Sequence, residues 1–354
     1  MKAPQASSAS RAITGFTPPP AALCWGVLGA LWLIFQFWVL GRWVSGPNFV
    51  PTDPGPDPIS DNTLLLFKWM QIVIPLAAAY MGWKILFGPW IRTGHLTTDG
   101  RILFAAAMIF FWDMSLNFSS IALFYNSHLI NFGSWSNGAW PGWFSPTGHL
   151  LPEPFVFIMP AYLALVFVQV LFVCWALRKA KARWPQMGLL TTLAIMVLSL
   201  TIIDSIIEIS VIRTGFYAYP GAIASLTLWY GETYQFPLTE GFFFGGLGLG
   251  SIAAISFFRD DRGHTFAERG IDSLRYSERS KSCLRTLAIY GYMHTAFFVL
   301  YFIPCQFITL NADPFPQGYP SYMSNGMCTY GINADQCPGP GVMMPRPPFP
   351  ENPQ

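Results

Sequence analysis

The feature that most constrains this chain is a series of seven apolar runs, each about 20 residues or longer. A helix of about 20 apolar residues crosses the hydrocarbon core of a bilayer, and helices satisfy all their backbone hydrogen bonds internally. The runs therefore predict an all-α integral membrane protein built as a bundle of seven transmembrane helices. The expected spans are about 21–41, 63–88, 102–125, 154–177, 187–212, 236–258 and 284–310.

The charge content agrees with a membrane protein and excludes one class of partner. Only 11% of the 354 residues are charged, whereas soluble domains carry about 25%. The formal net charge is +2, and a nucleic-acid partner would require a concentrated basic face. The expected partners are therefore a lipophilic small molecule and membrane lipid, and no nucleic acid.

The basic residues predict the orientation of the bundle. If the seven spans alternate, most of the 20 Lys and Arg fall on one side, chiefly in the loops 178–183 and 259–285. Because basic loops stay in the cytoplasm, the N-terminus is expected inside and the C-terminus outside, in a bacterial plasma membrane. We divide the chain into a disordered cytoplasmic leader (1–20), the transmembrane domain (21–310) and an extracytoplasmic tail rich in Pro and Gly (311–354).

Two cysteines lie in that tail. Cys328 and Cys337 occur in the segment MCTYGINADQC, and an oxidising exterior would permit a disulfide between them. The alternative is a pair of free thiols in a loose tail, which the high Pro content also allows.

Acidic residues inside the apolar runs indicate where a functional site lies. Asp113 interrupts the third run, and Asn117 follows it at the i, i+4 spacing that places both on one helix face. The fifth run carries Asp204 and Glu208 at the same spacing. A carboxylate at membrane depth costs several kcal/mol unless it is neutralised, paired or wetted. Deep acids are therefore candidate functional groups.

Placed by depth, the polar residues of the spans gather in the middle and outer parts of the bundle. Some have structural interpretations: Glu240 reaching the interface, Glu208 pairing with Arg213, or His294 as a hydrogen-bonded core residue. Asp113 and Asp204 lie too deep for such an interpretation. We predict as catalytic residues Asp113, Asn117, Asp204, Glu208, Glu240 and His294.

The connection after the third run is unusual for a loop in water. The segment 126–153 is rich in Trp and contains no Lys or Arg, which indicates a lid over an apolar pocket. Aromatic faces there would cover a lipophilic substrate and a developing positive charge. The predicted substrate-binding residues are Trp112, Asn126, Trp135, Trp140, Trp143 and Tyr301.

Several common chemistries do not fit the sequence. The five His show no HxxxH or HxxH spacing, and neither G-x-S-x-G nor H-E-x-x-H occurs. We therefore expect no metal and no cofactor. Carboxylic acids in an apolar pocket can instead act as general acid and general base on a lipophilic substrate.

Three stretches carry a family resemblance. WDMSLNFSS, YNSHLINFGSWSNGAWPGW and LPEP, followed by the Cys-containing Gly/Pro-rich tail, resemble the AveC-like spirocyclase family, over about residues 20–340. The resemblance implies an enzyme of secondary metabolism that forms a spiroketal on a polyketide, in some members also a dehydratase, with many relatives in actinobacteria. It assigns no catalytic residue here.

Two other functions stay open at this point. The acids could bind protons or a cation in a transporter or receptor-like binding protein for a lipophilic solute. Alternatively, the bundle could support partner enzymes. A continuous polar path would favour transport, whereas the nearly uncharged inner halves of the spans favour a closed pocket. The sequence therefore favours a cofactor-independent enzyme, and the family resemblance implies that it is a cyclase or dehydratase.

Overall fold

The computed structural model describes residues 19–141 and 148–325. The predictions on Trp143, on the Cys328–Cys337 disulfide and on the leader before Pro19 lie outside the described residues.

Within the described residues, seven helices are long and apolar enough to cross a membrane. This confirms a mostly helical fold with seven candidate membrane spans. They are α1 (Ala21–Val44), α2 (Asp61–Thr93), α3 (Thr98–Phe118), α4 (Phe155–Arg183), α5 (Leu189–Ile212), α6 (Leu238–Phe257) and α7 (Glu278–Leu310).

Four of these helices contain a wide π-helical turn, a feature that often marks functional sites. In α4 the turn follows Pro160, which cannot donate a backbone hydrogen bond. The π turns are Gly82–Phe87 in α2, Tyr162–Val166 in α4, Gly241–Leu249 in α6 and Phe298–Phe302 in α7.

Helix α3 ends earlier than the sequence predicts. It comprises Thr98–Ala107, a kink, Phe111–Ser115 and a 3₁₀ turn at Leu116–Phe118, where a helix to Tyr125 was expected. The Asn117 side chain explains the ending, because its Oδ1 accepts hydrogen bonds from the backbone N–H of Ala122 (2.8 Å) and Leu123 (3.0 Å). Such local bonds to the backbone compete with continuation of a helix.

The connections α3–α4 and α5–α6 fold together over one end of the bundle, and we call the described residues 119–141, 148–154 and 213–237 the cap. Three antiparallel pairs of two-residue strands hold it together. They are β1 (Phe124–Tyr125) with β4 (Tyr217–Ala218), β2 (Phe132–Gly133) with β3 (Pro152–Glu153), and β5 (Thr227–Leu228) with β6 (Phe236–Pro237).

The opposite end, which we call the basic end, joins the starts of α1, α3 and α7 to the α6–α7 connection. The backbone N–H of Ala22 donates to the Arg269 carbonyl (3.1 Å), and Arg259 forms an ion pair with Asp99 (2.5 Å). These contacts show that successive spans run in alternate directions. Which end faces the cytoplasm stays a prediction.

Helices α1 and α7 approach each other closely through two glycines. A Cβ added at Gly29 would lie 1.9 Å from the Leu287 carbonyl oxygen, and one added at Gly291 would lie 2.0 Å from the Trp25 carbonyl oxygen. Small residues allow such close backbone packing in membranes. This close contact fixes the position of α7 against α1, and α7 in turn carries Tyr301 in its half nearer the cap.

We predict that Gly29→Ala destabilises the bundle, because its methyl group would collide with the α7 backbone. Overpacking of this kind costs about 1–3 kcal/mol, so the apparent Tm of the purified protein should fall. Gly41→Ala is the matched control on α1, since nothing lies within 4 Å of its added Cβ. Equal Tm values for the two variants would contradict the proposed crossing.

Candidate functional site

A cavity of about 60 Å³ lies beneath the cap, between α3, α4, α5 and α6. It brings together three of the predicted acids, Asp113 from α3 and both Asp204 and Glu208 from α5. The rest of its wall is largely apolar and aromatic: Tyr125, Phe157, Ile158, Ala161, Tyr162, Leu165, Val166, Gln169, Ile207, Val211, Tyr217, Tyr219 and Phe244.

Asp113 is half-buried and bound by two tyrosine hydroxyls. Tyr125 of β1 donates to Oδ2 (2.5 Å), and Tyr162 of the α4 π turn donates to Oδ1 (3.0 Å). Each carboxyl oxygen therefore has a donor, as an ionised carboxylate requires when it is withdrawn from water.

Asp204 is 1% exposed and only half satisfied. Its Oδ1 accepts a hydrogen bond from Gln169 Nε2 (3.1 Å), whereas Oδ2 has no hydrogen-bond partner among the described residues. On α6, Gly245 packs directly against this oxygen, since an added Cβ would lie 2.8 Å from Oδ2. A protonated Asp204 would carry an O–H that has no acceptor among the described residues.

Two further acids are held by tyrosines in the same way. Tyr219 donates to Glu208 Oε2 (2.7 Å), and Tyr301 of α7 donates to Glu240 Oε1 (2.6 Å). Glu240 lies in the first turn of α6 and does not line the cavity itself, whereas Phe244, one turn later, does. The acids of α3, α5 and α6 thus form one group.

No basic side chain within the described ranges pairs with these acids. The ion pairs found there all belong to the basic end. Arg213, the expected partner of Glu208, instead lies over the rings of Tyr234 (3.8 Å) and Trp229 (4.7 Å). Among residues 19–141 and 148–325, no three His, Cys, Asp or Glu are grouped so as to hold a metal ion.

The sequence reasoning missed Glu153, a fifth acid of the group. It lies on β3 opposite Phe132, is 0% exposed, and neither carboxyl oxygen has a hydrogen-bond partner in the described part of the chain. Burial, and then the charge of Asp113, raises the pKa of Glu153 well above its ordinary value. An acid between two prolines in a connection is expected in water, so only its place in the LPEP segment gave a signal.

The tyrosines that line the cavity were also missed, whereas Tyr301, which was predicted to bind substrate, binds Glu240 and does not line the cavity. Burial, with the nearby carboxyl groups adding to it, raises the pKa values of Tyr125, Tyr217 and Tyr219 well above the ordinary value. Their hydroxyls therefore keep their protons and act as donors. A tyrosine-rich stretch, YAYP, was the available signal.

Besides Glu240, two predicted catalytic residues do not line the cavity. Asn117 holds the chain reversal after α3, because the helix ends there and the i, i+4 relation to Asp113 is lost. His294 is buried on another face of α7, where its Nδ1 lies 3.0 Å from Gln36 Nε2 and accepts from Trp112 Nε1 (3.0 Å). Its Nε2 lies 3.3 Å from the Ala105 carbonyl, which fits the core-histidine interpretation.

Trp135 and Trp140 attach the cap to the bundle, and neither of them nor Trp112 of α3 lines the cavity. Trp135 is fully buried and donates to the Phe111 carbonyl (3.2 Å). Trp140 stacks against Phe302 of α7, with ring centroids 5.8 Å apart. The aromatic rings around the cavity are those of tyrosine and phenylalanine.

Asn126 also has a structural contact. Its Nδ2 donates to the Gly215 carbonyl (2.9 Å), and its backbone N–H donates to the Phe216 carbonyl (2.9 Å). The residue therefore joins the two connections that form the cap, next to the β1–β4 pair that carries Tyr125.

We predict that Glu153→Gln changes how stability depends on pH. Because the folded-state pKa of Glu153 is raised, its stability contribution is complete below the ordinary value of 4.5 and is lost as the pH rises toward the folded-state pKa. In that range the wild type should lose about 1.4 kcal/mol per pH unit relative to Gln, which does not titrate.

Thermal unfolding of both proteins in the same detergent at pH 5, 6, 7 and 8 tests this. The Tm of Glu153→Gln relative to the wild type should increase with pH. Parallel Tm curves would contradict a buried, uncompensated Glu153.

Comparisons with known proteins bear on the same region. No match was found among curated proteins or solved structures. The family described as spirocyclase AveC-like matches residues 94–324, a range that contains α3 to α7, the cap and all five acids of the group. Since the match covers well over half of the chain, this protein belongs to the AveC-like spirocyclase family.

Proposed function

We propose that this protein is a membrane-embedded cyclase that closes a ring on a lipophilic, polyketide-like substrate by acid–base catalysis. The observation that carries the proposal is the convergence of Asp113, Asp204 and Glu208 on one cavity with no basic partner among the described residues. Membership of a spirocyclase family supports a cyclase-type reaction.

The reaction we assign is spiroketal closure with loss of one water. One hydroxyl of a dihydroxy-ketone adds to the carbonyl and gives a hemiketal. The hemiketal hydroxyl takes a proton from the acid and leaves as water, which forms an oxocarbenium ion. The second hydroxyl attacks this ion and gives its proton to the base, so atoms and charge balance. Dehydration, the other activity proposed, would use the same acid and base.

The hydrogen bonds suggest how the two roles are divided. Asp204 is the proposed acid, because its Oδ2 is buried without a donor and can carry the proton into the cavity. Asp113 is the proposed base, because its two oxygens accept from Tyr125 and Tyr162. Two carboxyl groups that share an apolar cavity need not ionise together, so one proton serves the pair.

Aromatic rings would stabilise the cationic intermediate. Phe157 and Phe244 line the cavity together with the tyrosines, and the face of an aromatic ring attracts a cation. An ionised Asp113 would add a direct electrostatic attraction. Together these groups favour the charge that develops as water leaves.

The size of the cavity indicates that its wall must move to admit such a substrate. A volume of about 60 Å³ holds roughly four waters, whereas pockets for small molecules measure about 300–1,000 Å³. Leu165 and Val166 of α4 and Ile207 and Val211 of α5 all line the cavity, and all four are apolar and half-buried. We infer that substrate enters from lipid between α4 and α5, where Pro160 and the π turn weaken α4.

The proposal is tested by mass spectrometry of extracts from a deletion strain complemented with variants. Asp113→Asn and Asp204→Asn keep the side-chain shape but remove the titrating carboxyl group, and general acid–base catalysis contributes about 10²–10⁴-fold. Both variants should lower product at least about 100-fold and accumulate a compound heavier by one water.

Asp261→Asn, in an exposed loop of the basic end, is the matched control and should restore wild-type product. Membrane abundance and Tm of each variant separate lost catalysis from lost folding. Unchanged product from Asp113→Asn would refute the acid–base assignment. An unaltered compound that shifts between cells and medium would instead indicate transport.

A further inference from the structure

A second recess, of about 620 Å³, opens at the basic end, far from the acids under the cap. It lies between the α2–α3 connection, the first turn of α3 and the first turns of α7. Most of its lining residues are charged or polar: Gly94, His95, Leu96, Arg101, Glu278, Arg279, Lys281, Ser282 and Arg285.

Positive charge dominates this recess. Four Lys and Arg line it against one acid, and the ion pairs compensate only part of the excess. Lys281 pairs with Glu278 (3.1 Å), and Arg285 pairs with Asp272 (3.4 Å) beyond the recess wall. Arg279 is exposed and forms no ion pair with a described carboxylate.

Arg101 is the residue that most clearly lacks a counter-ion. It is 5% exposed and donates from Nη2 to Ser282 Oγ (3.0 Å), while its buried Nε has no hydrogen-bond partner in the described chain. It forms no ion pair there either. Glu268 interacts with Arg101 electrostatically from a distance but forms no ion pair with it. The Glu268 carboxylate lies instead 4.0 Å from Arg285 Nε. Buried charges in proteins are normally paired, because an isolated one is costly.

The two helix ends beside the recess add to the preference for an anion. Helix α3 begins after Thr97, which accepts from the Gly100 N–H, and α7 begins after Ser277, which accepts from the Ser280 N–H. The N-terminal ends of helices attract negative charge and disfavour cations. Arg279, in the first turn of α7, would be stabilised by an anion bound between the two ends.

We propose that this recess binds a phosphate group through Arg101, Arg279 and Lys281. Guanidinium groups match phosphate oxygens in charge and geometry, and basic pockets at the ends of transmembrane helices are suited to anionic lipid head groups. Trp90 and Ile91, exposed on the last turns of α2, supply an apolar surface beside the recess for acyl chains. A soluble phosphate compound is the other source of the same group.

Native mass spectrometry of the whole protein from nanodiscs of phosphatidylglycerol and phosphatidylcholine provides the test. We expect the wild type to retain one phosphatidylglycerol molecule, and Arg279→Gln to weaken its apparent affinity roughly 10-fold. Lys179→Gln, an exposed residue at the end of α4 that does not line the recess, is the matched control and should retain the lipid.

A second arm replaces the lipid with inorganic phosphate in detergent and follows the Tm. Stabilisation that Arg279→Gln weakens and Lys179→Gln keeps would support the site with a soluble source. Arg101→Gln should abolish binding in either arm if it folds, while the exposed Arg279 keeps the test decisive if it does not. Equal binding by Arg279→Gln and Lys179→Gln, or none by the wild type, would overturn the proposal.

Discussion

Burying acids in an apolar bundle without a basic partner is the constraint on which the rest of this structure depends. A charged residue at the centre of a membrane helix costs about 2.5–3.5 kcal/mol even by insertion scales. Asp113, Glu208 and Glu240 meet this cost with tyrosine hydroxyls, which donate a hydrogen bond and bring no charge. A cation would satisfy the same acids better, but it would hold them ionised and deprive the site of a proton donor.

The tyrosines explain why the cap and the bundle form one unit. Tyr125 and Tyr217 are opposite each other in the β1–β4 pair, so the pairing that closes the cap also brings both rings to the cavity. Tyr219 follows two residues later and binds Glu208. Asp113 and Glu208 therefore have all their tyrosine donors only when the cap is folded, and these two bonds also hold the cap over the cavity.

Hydropathy was sufficient to find the seven spans, because membrane crossing depends on local length and composition. It also placed Asp113, Asp204 and Glu208 together, since deep acids must turn away from lipid. It failed at Asn117, because helical periodicity assumes that the helix continues, whereas that side chain helps to end it. It failed at Glu153 because the burial of a connection depends on contacts between distant segments, which no local pattern records.

The paired charges lie at the basic end of the molecule, and the buried acids lie under the cap without a cation. The acid site requires this separation, because a nearby cation would hold the acids ionised. The described ion pairs all lie at the basic end, and Arg213, the cation closest in sequence to the cavity acids, is held against Tyr234 and Trp229. Cation–π contacts satisfy this guanidinium without a carboxylate. If Arg213 turned toward Glu208 it would form a buried ion pair and fix that acid as a carboxylate. Trp229 and Tyr234 lie outside the cavity, but by holding Arg213 they leave Glu208 able to bind a proton.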